Sequence, residues 1–288
     1  MAGVTRRTAA GALIAGLATG PALAATAGPR RVVSLNPCLD AILVQVADRE
    51  QIAAVSHYTH EPSSTSSGAL GLTFPFTHET AEEVVALRPD LVLTARHSSP
   101  ATRAALARMG VRTELFGLPN TVEESLVQVM QVARAVNRPE RGQALVARIR
   151  AALAEAAPPP GAPPLTAVTF QSGGFASARG TLMDEMMRRA GFENAATRYG
   201  LTRTGNIPLE KLIADPPDVL LAGQLEPGAP TWADRVLAHP ALAHVAPRMH
   251  RAVFPQNLTF CGGPVLIESA RMLARARREA LAARAARS

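Results

Sequence analysis

Residues 81–93 and 209–221 align with each other without a gap, matching Glu82 with Glu210, Ala86 with Ala214, Pro89 with Pro217, Asp90 with Asp218 and Leu93 with Leu221. Each copy reads as a short helix with an early glutamate, a Pro-Asp turn that stops it, and an apolar run suited to a buried parallel strand. Helix, Pro-Asp turn and strand is a common αβ connection, so one copy would mean little. Two copies that share the glutamate as well predict a chain built of two related lobes.

Arg6-Arg7 precede an apolar, small-residue stretch, and Ala22-Leu23-Ala24 has the small-x-small form that signal peptidase accepts, so residues 1–24 are expected to be an export signal. The stretch is too short and too rich in Ala and Gly for a membrane span. The paired arginines resemble a twin-arginine signal, but Thr8-Ala9-Ala10 lacks the bulky apolar residues usual after them, and the general secretory route fits as well. No cysteine lies at the cleavage site to carry a lipid. The expected product is a soluble, monomeric periplasmic protein.

An apolar content of 47% marks a globular chain, with length for two modest domains. Lys211 is the only lysine, so the formal charge of +7 is carried by arginine, much of it at Arg271, Arg275, Arg277, Arg278, Arg284 and Arg287. No basic run is interleaved with aromatics, which argues against a nucleic-acid partner, although the field would favour an anionic ligand. Cys38 and Cys261 are the only cysteines. Two are too few for a disulfide framework and the wrong spacing for a CxxC knuckle; one disulfide is permitted in an oxidising compartment.

Strand-like runs at 31–35, 52–56, 91–94 and 111–116 alternate with helical stretches in a first lobe, 25–120, and runs at 165–170, 219–222 and 251–254 do so in a second, 165–288. Ser99-Pro100 opens a helix that Gly110 stops, and Gly191 ends another. Between the lobes, 121–157 reads as one connecting helix, with a Thr121/Glu124 capping box and helical spacing of Val122, Leu126, Val129, Val132, Leu145, Ile149 and Leu153. Asn137-Arg138-Pro139 is a place for a kink. At 1.5 Å per residue the stretch would span roughly 50 Å, enough to cross between domains. The proline-rich 158–164 then makes a stiff joint. The fold class expected is α/β, two lobes with parallel sheets, ligands binding beyond the carboxyl ends of the strands in a cleft between them.

Placed on this scheme, Asn36, Cys38 and Asp40 follow the first strand, and His57, Tyr58 and His60 the second. Phe74, Phe76 and His78 precede the Glu82 helix, and His97 follows the third strand. Gln171, Phe175, Gln224, Gln256, Asn257, Phe260 and Cys261 take corresponding positions in the second lobe. His57, His60, His78 and His97 are candidates to hold a transition metal directly, since imidazole with carboxylate suits zinc or manganese. They have no HExxH spacing, so polar lining for a bulkier ligand, or a structural role, competes with ligation. No GxSxG, GxxxxGK[ST] or strand-linked GxGxxG is present, so no catalytic residue and no cofactor is nominated. A metal-dependent periplasmic enzyme using the same histidines is the rival class.

The run Arg31-Val32-Val33-Ser34-Leu35-Asn36-Pro37, Val55-Ser56-His57-Tyr58, the ALRPDLVL block at 86–93 and the 121–156 helix resemble the periplasmic binding proteins for cobalamin, ferric siderophores and haem, the single-helix-hinge components of ABC importers. The resemblance implies two Rossmann-like lobes joined by one rigid helix, with a cleft that closes only slightly around a metal chelate. It also implies that Glu82 and Glu210 each dock on arginines of the membrane permease. Two widely spaced, charge-assisted contacts fix an orientation on a two-fold partner because both must engage together.

Within that family, Tyr58 matches an aromatic lining the corrinoid pocket of cobalamin binders, and Phe76 stands near their tryptophan. Haem binders carry a coordinating tyrosine just before the glutamate helix; Phe74-Pro75-Phe76-Thr77-His78 has none, so haem would need His78 as axial ligand. Arginine clusters for catecholate or citrate siderophores are missing from the cleft loops. The resemblance therefore implies a solute-binding protein that captures a metal chelate, cobalamin or a ferric siderophore, and delivers it to an ABC importer permease, with a bare metal ion or haem as the alternative. Tyr58, Phe76, Phe175 and Phe260 would wall the ligand. Asn36, His57, His60, His78, His97, Gln224 and Asn257 would meet its polar edges. Cys38 and Cys261 depart from the family pattern and are read as a cleft-spanning disulfide, two soft ligands or unrelated buried thiols.

Overall fold

The computed structural model describes residues 28–61, 66–171, 174–223 and 247–287, with the single positions 3, 240 and 245. The expected export signal, Gly3 apart, and Gln224 lie outside the described residues.

The first lobe contains Val32–Ser34 (β1), Pro37–Val46 (α1), Ile52–Ser56 (β2), Gly68–Gly71 (α2), Phe76–Thr77 (β3), Ala81–Ala86 (α3), Leu91–Ala95 (β4), Pro100–Arg108 (α4) and Thr113–Phe116 (β5). Its strands form one parallel sheet in the order β3-β2-β1-β4-β5. β1 and β4 are buried along their whole length. That is why they read as unbroken apolar runs: helices cover both faces of a parallel sheet. Ser99 accepts from the Thr102 amide to cap α4, with Pro100 in its first turn.

The connecting stretch differs from the single rod expected over 121–157. It is two helices, Val122–Ala135 (α5) and Pro139–Ala156 (α6), packed against each other. Asn137 takes the left-handed conformation at φ 58° and the proline that follows Arg138 disfavours helix there, so the kink site becomes a full break. The break is pinned to the first lobe. Asp48 pairs with both Arg138 and Arg141, and the Gln51 side-chain amide donates to the carbonyls of Pro29 and Val136. Gly142 lets the two helices approach, since a Cβ there would lie 2.5 Å from that of Ala133.

The second lobe contains Leu165–Phe170 (β6), Phe175–Ala176 (β7), Leu182–Arg189 (α7), Phe192–Asn194 (β8), Gly205–Asn206 (β9), Leu209–Ala214 (α8), Val219–Ala222 (β10), His250–Val253 (β11) and Val265–Ala285 (α9). Its parallel sheet runs β11-β10-β6-β8, beside an antiparallel β7–β9 pair. One apolar cluster joins Val32 and Ile42 of the first lobe, through Val129, Leu145 and Ile149 of the connecting helices, to Leu221 and Leu273. α6 lies along α9 and also touches α1, so the connecting pair is part of the core.

The repeat in the sequence has a shared physical job in both lobes. Asp90, just before β4, accepts from the amides of Arg30 and Arg31 at 2.7 and 3.0 Å. Asp218, just before β10, accepts from the amide and hydroxyl of Thr166, each at 2.8 Å. Each aspartate thereby ties the amino end of its lobe's first strand to the neighbouring strand. Glu82 and Glu210 both stand exposed in the first turn of α3 and α8.

Candidate functional site

In the first sheet, β1 lies between β2 and β4, so the loops leaving β1 and β4 diverge at the switch point where α/β sheets place ligands. Asn36 sits there, buried. Its side-chain oxygen accepts from the amides of Cys38 and Leu39, capping α1, and its amide nitrogen lies 3.0 Å from Nε2 of the exposed His97. One residue type thus starts the helix and joins the two loops.

Asp40, expected in the cleft loop, instead points into the lobe and is completely buried. Its Oδ2 accepts from the Ser56 amide at 3.0 Å, the Ser56 hydroxyl at 2.5 Å and the Thr59 hydroxyl at 2.8 Å. These bonds fix the 57–60 turn that follows β2 and so orient His57, Tyr58 and His60. Burial pushes the Asp40 carboxyl up from 3.8 to about 7, against the opposing pull of its hydroxyl and amide donors.

The turn completes a cluster of five rings. His57 lies 4.0 Å from the Tyr58 ring and 5.1 Å from His78; His60 is 4.7 Å from Phe76, and Phe76 meets His78 edge-on at 5.4 Å. Tyr58 and Phe76 remain 39% and 47% exposed, an open aromatic wall. The 76–79 segment is held by Glu83, whose Oε2 accepts from the Thr77 hydroxyl and the His78 amide at 2.8 and 2.7 Å. The Thr77 bond first, then the His78 amide, keep the Glu83 carboxyl below its usual range. Glu79, beside it, adopts φ 66° and brings Oε1 to 3.7 Å from His57 Nδ1, with burial and then the nearby Asp40 raising its carboxyl to about 7.

The second lobe contributes different groups. Gln171 is buried and its amide donates to the Phe254 carbonyl at 3.2 Å, tying the end of β6 to the end of β11. Phe175 is half-buried in β7, opposite Asn206 of β9. Asn257 stands in the 256–258 turn, and Phe260 is 41% exposed beyond it. The Ser66 hydroxyl of the first lobe donates to the Asn257 carbonyl at 3.3 Å and lies 3.4 Å from Cys261 Sγ.

Cys38 and Cys261 form a disulfide across a sequence separation of 223, their Cα atoms 5.0 Å apart. That selects the first of the three readings and removes both thiolates from any ligand set. Among the described residues, no group of three or more His, Cys, Asp or Glu side chains gathers to hold a metal ion. The four histidines nominated for that role have other contacts: His60 meets the Phe74 carbonyl at 3.0 Å, His97 meets Asn36, and His57 and His78 meet each other's rings. Sequence reasoning missed Glu79 and Glu83, whose partners become visible only when the 76–79 segment lies beside β2.

The carboxyl ends of the two sheets thus carry different groups, an aromatic wall on the first lobe and amide and aromatic side chains on the second. The chain belongs to the periplasmic binding protein family, whose pattern matches residues 32–251. It is 24% identical over 211 residues to the cobalamin-binding protein of Halobacterium salinarum, across 72% of this chain and 57% of that protein, so it spans little more than half the relative's length. Among solved structures it is similar to the periplasmic haem-binding protein RhuT of Roseiflexus sp. RS-1, with 25% identity, TM-score 0.66 and coverage of 86% of this chain and 99% of that one. The periplasmic vitamin B12 binding protein BtuF of Vibrio cholerae shares the fold at 16% identity and TM-score 0.64, covering 88% and 98%. Family and neighbours are binding proteins, not enzymes.

Proposed function

We propose that the protein captures a metal chelate, cobalamin or a ferric siderophore, between its lobes and delivers it to the permease of an ABC importer. The observation that carries this is the wall of His57, Tyr58, His60, Phe76 and His78: five rings in linked contact, three of them exposed, with no assembled set of metal ligands among the described residues. Aromatic faces stabilise a large ligand by stacking and burial, and the imidazoles supply its polar contacts. A metal already enclosed by its own chelator needs no protein cage. Asn36, His97, Asn257 and Phe260 extend the surface on either side, and the exposed Glu82 and Glu210 are the docking contacts for the permease. The disulfide suits an oxidising compartment outside the cytoplasm.

Haem is a second reading, favoured by one observation: the His78 imidazole is exposed, and its contacts among the described residues are with the His57 and Phe76 rings, which leaves it available as an axial ligand. Titrating the purified protein with cyanocobalamin, hemin and ferric siderophores, by calorimetry and absorption spectra, separates the readings. Tight one-to-one binding of cyanocobalamin or a ferric siderophore is expected, weakened about tenfold in Tyr58→Ala or Phe76→Ala by loss of a ring contact. A hemin Soret shift abolished by His78→Ala would instead select haem. A tightly held zinc with hydrolytic turnover and no chelate binding would overturn both.

A further inference from the structure

Residues 261–263 of the second lobe are buried against α1 of the first lobe and α5 of the connecting pair. Gly263 takes φ +63°, and a Cβ on it would lie 2.6 Å from Cγ1 of Ile42 in α1; one on Gly262 would lie 2.3 Å from the Ser125 hydroxyl of α5. The Gly263 amide donates to that hydroxyl at 2.7 Å, and the Ser66 hydroxyl meets Asn257 and Cys261 from the other side. Ala41, Cys261 and Val265 pack together with Cys38 and Leu258. The disulfide is the covalent member of this junction. One end of it is buried, Cys261 at 4% exposure, whereas Cys38 is only half-buried in the first turn of the ten-residue α1.

The bond is also mechanically linked to the ring wall. Cys38 and Asp40 share the first turn of α1, and Asp40 holds Ser56 and Thr59 on either side of His57 and Tyr58. A shift at the amino end of α1 therefore moves the turn that carries the rings. We propose that Cys38–Cys261 is a reducible latch, a redox modification site at which a dithiol reductant loosens the cleft and speeds ligand exchange.

The chemistry is thiol–disulfide exchange. A thiolate of the reductant attacks Sγ of Cys38, the less buried of the two residues, forming a mixed disulfide and expelling the Cys261 thiolate. The reductant's second thiol then attacks its own mixed-disulfide sulfur and expels the Cys38 thiolate, which the amino end of α1 stabilises. The protein gains two electrons and, once both thiolates are protonated, two protons; the dithiol leaves as a cyclic disulfide. The latch does not depend on which chelate is bound.

The full chain is tested in its oxidised form, after dithiothreitol under native conditions, and as the double variant Cys38→Ser, Cys261→Ser. Thiol alkylation and mass give the redox state, circular dichroism the fold, and amide hydrogen exchange the motion of 37–46 and 257–265. Cyanocobalamin and hemin are the ligand probes. Two titratable thiols, an unchanged fold and faster exchange in both segments are expected. Dissociation of the bound probe should be about tenfold faster, which is about 1.4 kcal/mol. A bond that resists the dithiol, or whose loss leaves exchange unaltered, or whose loss unfolds the protein, overturns the latch and leaves a static staple. If neither probe binds, the exchange measurement still decides the latch, and only the proposed ligand class fails.

Discussion

The two lobes share a plan but not a chemistry. At the amino ends of their strands they are near copies: Asp90 and Asp218 each fasten the first strand of the lobe, and Glu82 and Glu210 each stand exposed on the helix just before. At the carboxyl ends they part. The first lobe places five rings beside a buried carboxyl, Asp40, and a half-buried one, Glu79, whereas the described residues of the second offer Gln171, Phe175, Asn257 and Phe260. Residues that hold a lobe together face the same demand twice. Under the proposed function, so would residues that dock on a two-fold permease, whereas residues that meet one asymmetric ligand would face two different halves of it.

The largest effect is expected where this asymmetry is deepest. Asp40→Ala removes the acceptor of three buried bonds, which should cost about 3–5 kcal/mol in denaturant unfolding and disorder the 57–60 turn. Gln171→Ala, at the comparable place in the second lobe, loses one side-chain bond to Phe254 and should cost about 1 kcal/mol beyond its packing. Equal losses would mean that the lobes are supported alike. Asp40 also makes the first lobe pH-sensitive. Its native carboxyl keeps a proton between 3.8 and about 7 that the unfolded chain has released, so stability is full below 3.8 and falls as pH rises to about 7. The fall attributable to Asp40 is at most roughly 4 kcal/mol. Glu79 shifts in the same direction, by burial first and then by the charge of Asp40. Asp40→Asn keeps an acceptor for all three donors but cannot ionise. Its unfolding free energy should therefore be flatter across this window, and a slope as steep as that of the parent would assign the pH dependence elsewhere.

A smaller effect tests the likeness. Asp90 and Asp218 each accept two bonds from the start of a strand, so Asp90→Ala and Asp218→Ala should each cost about 1–3 kcal/mol, and nearly the same amount. Thermal unfolding of the two variants side by side makes the comparison. A loss confined to one of them would reduce the repeat to a likeness of sequence.

Much of this was legible because parallel strands are buried on both faces and so appear as mainly apolar runs; β1, β4 and β10 fall where such runs lie, and β6 does so with two threonines in it. Helix ends were legible where one residue acts locally. Thr121 caps α5, and Gly110 and Gly191 take positive φ where their helices stop. What escaped depends on partners far along the chain. The two-residue strands β3, β7 and β9 exist only because neighbouring strands pair with them. Asn137 reads equally well as a kink or a break until α6 is seen folded back on α5. Asp40 has the sequence context of a cleft residue, and only the donors of Ser56 and Thr59 draw it inward. The disulfide joins residues whose local contexts contain no trace of each other.

The smallest effect on the fold, and the sharpest use of the comparison, belongs to Glu82 and Glu210. Both are exposed on short helices, so changing either to alanine should move stability by no more than about 0.5 kcal/mol. Neither belongs to the ring wall, so chelate affinity measured by calorimetry should stay at the parent value in the double variant. Uptake of the chelate by cells should nonetheless be lost, because a two-point dock that depends on both lobes engaging a two-fold partner loses its orientation with either point. Each single variant should therefore be impaired, and neither lobe should dominate. If one alanine abolished uptake and the other left it intact, the docking surface would be as asymmetric as the ligand surface. If the double variant transported normally, the duplicated glutamate would have no part in docking, and the aspartate pins alone would account for the repeat.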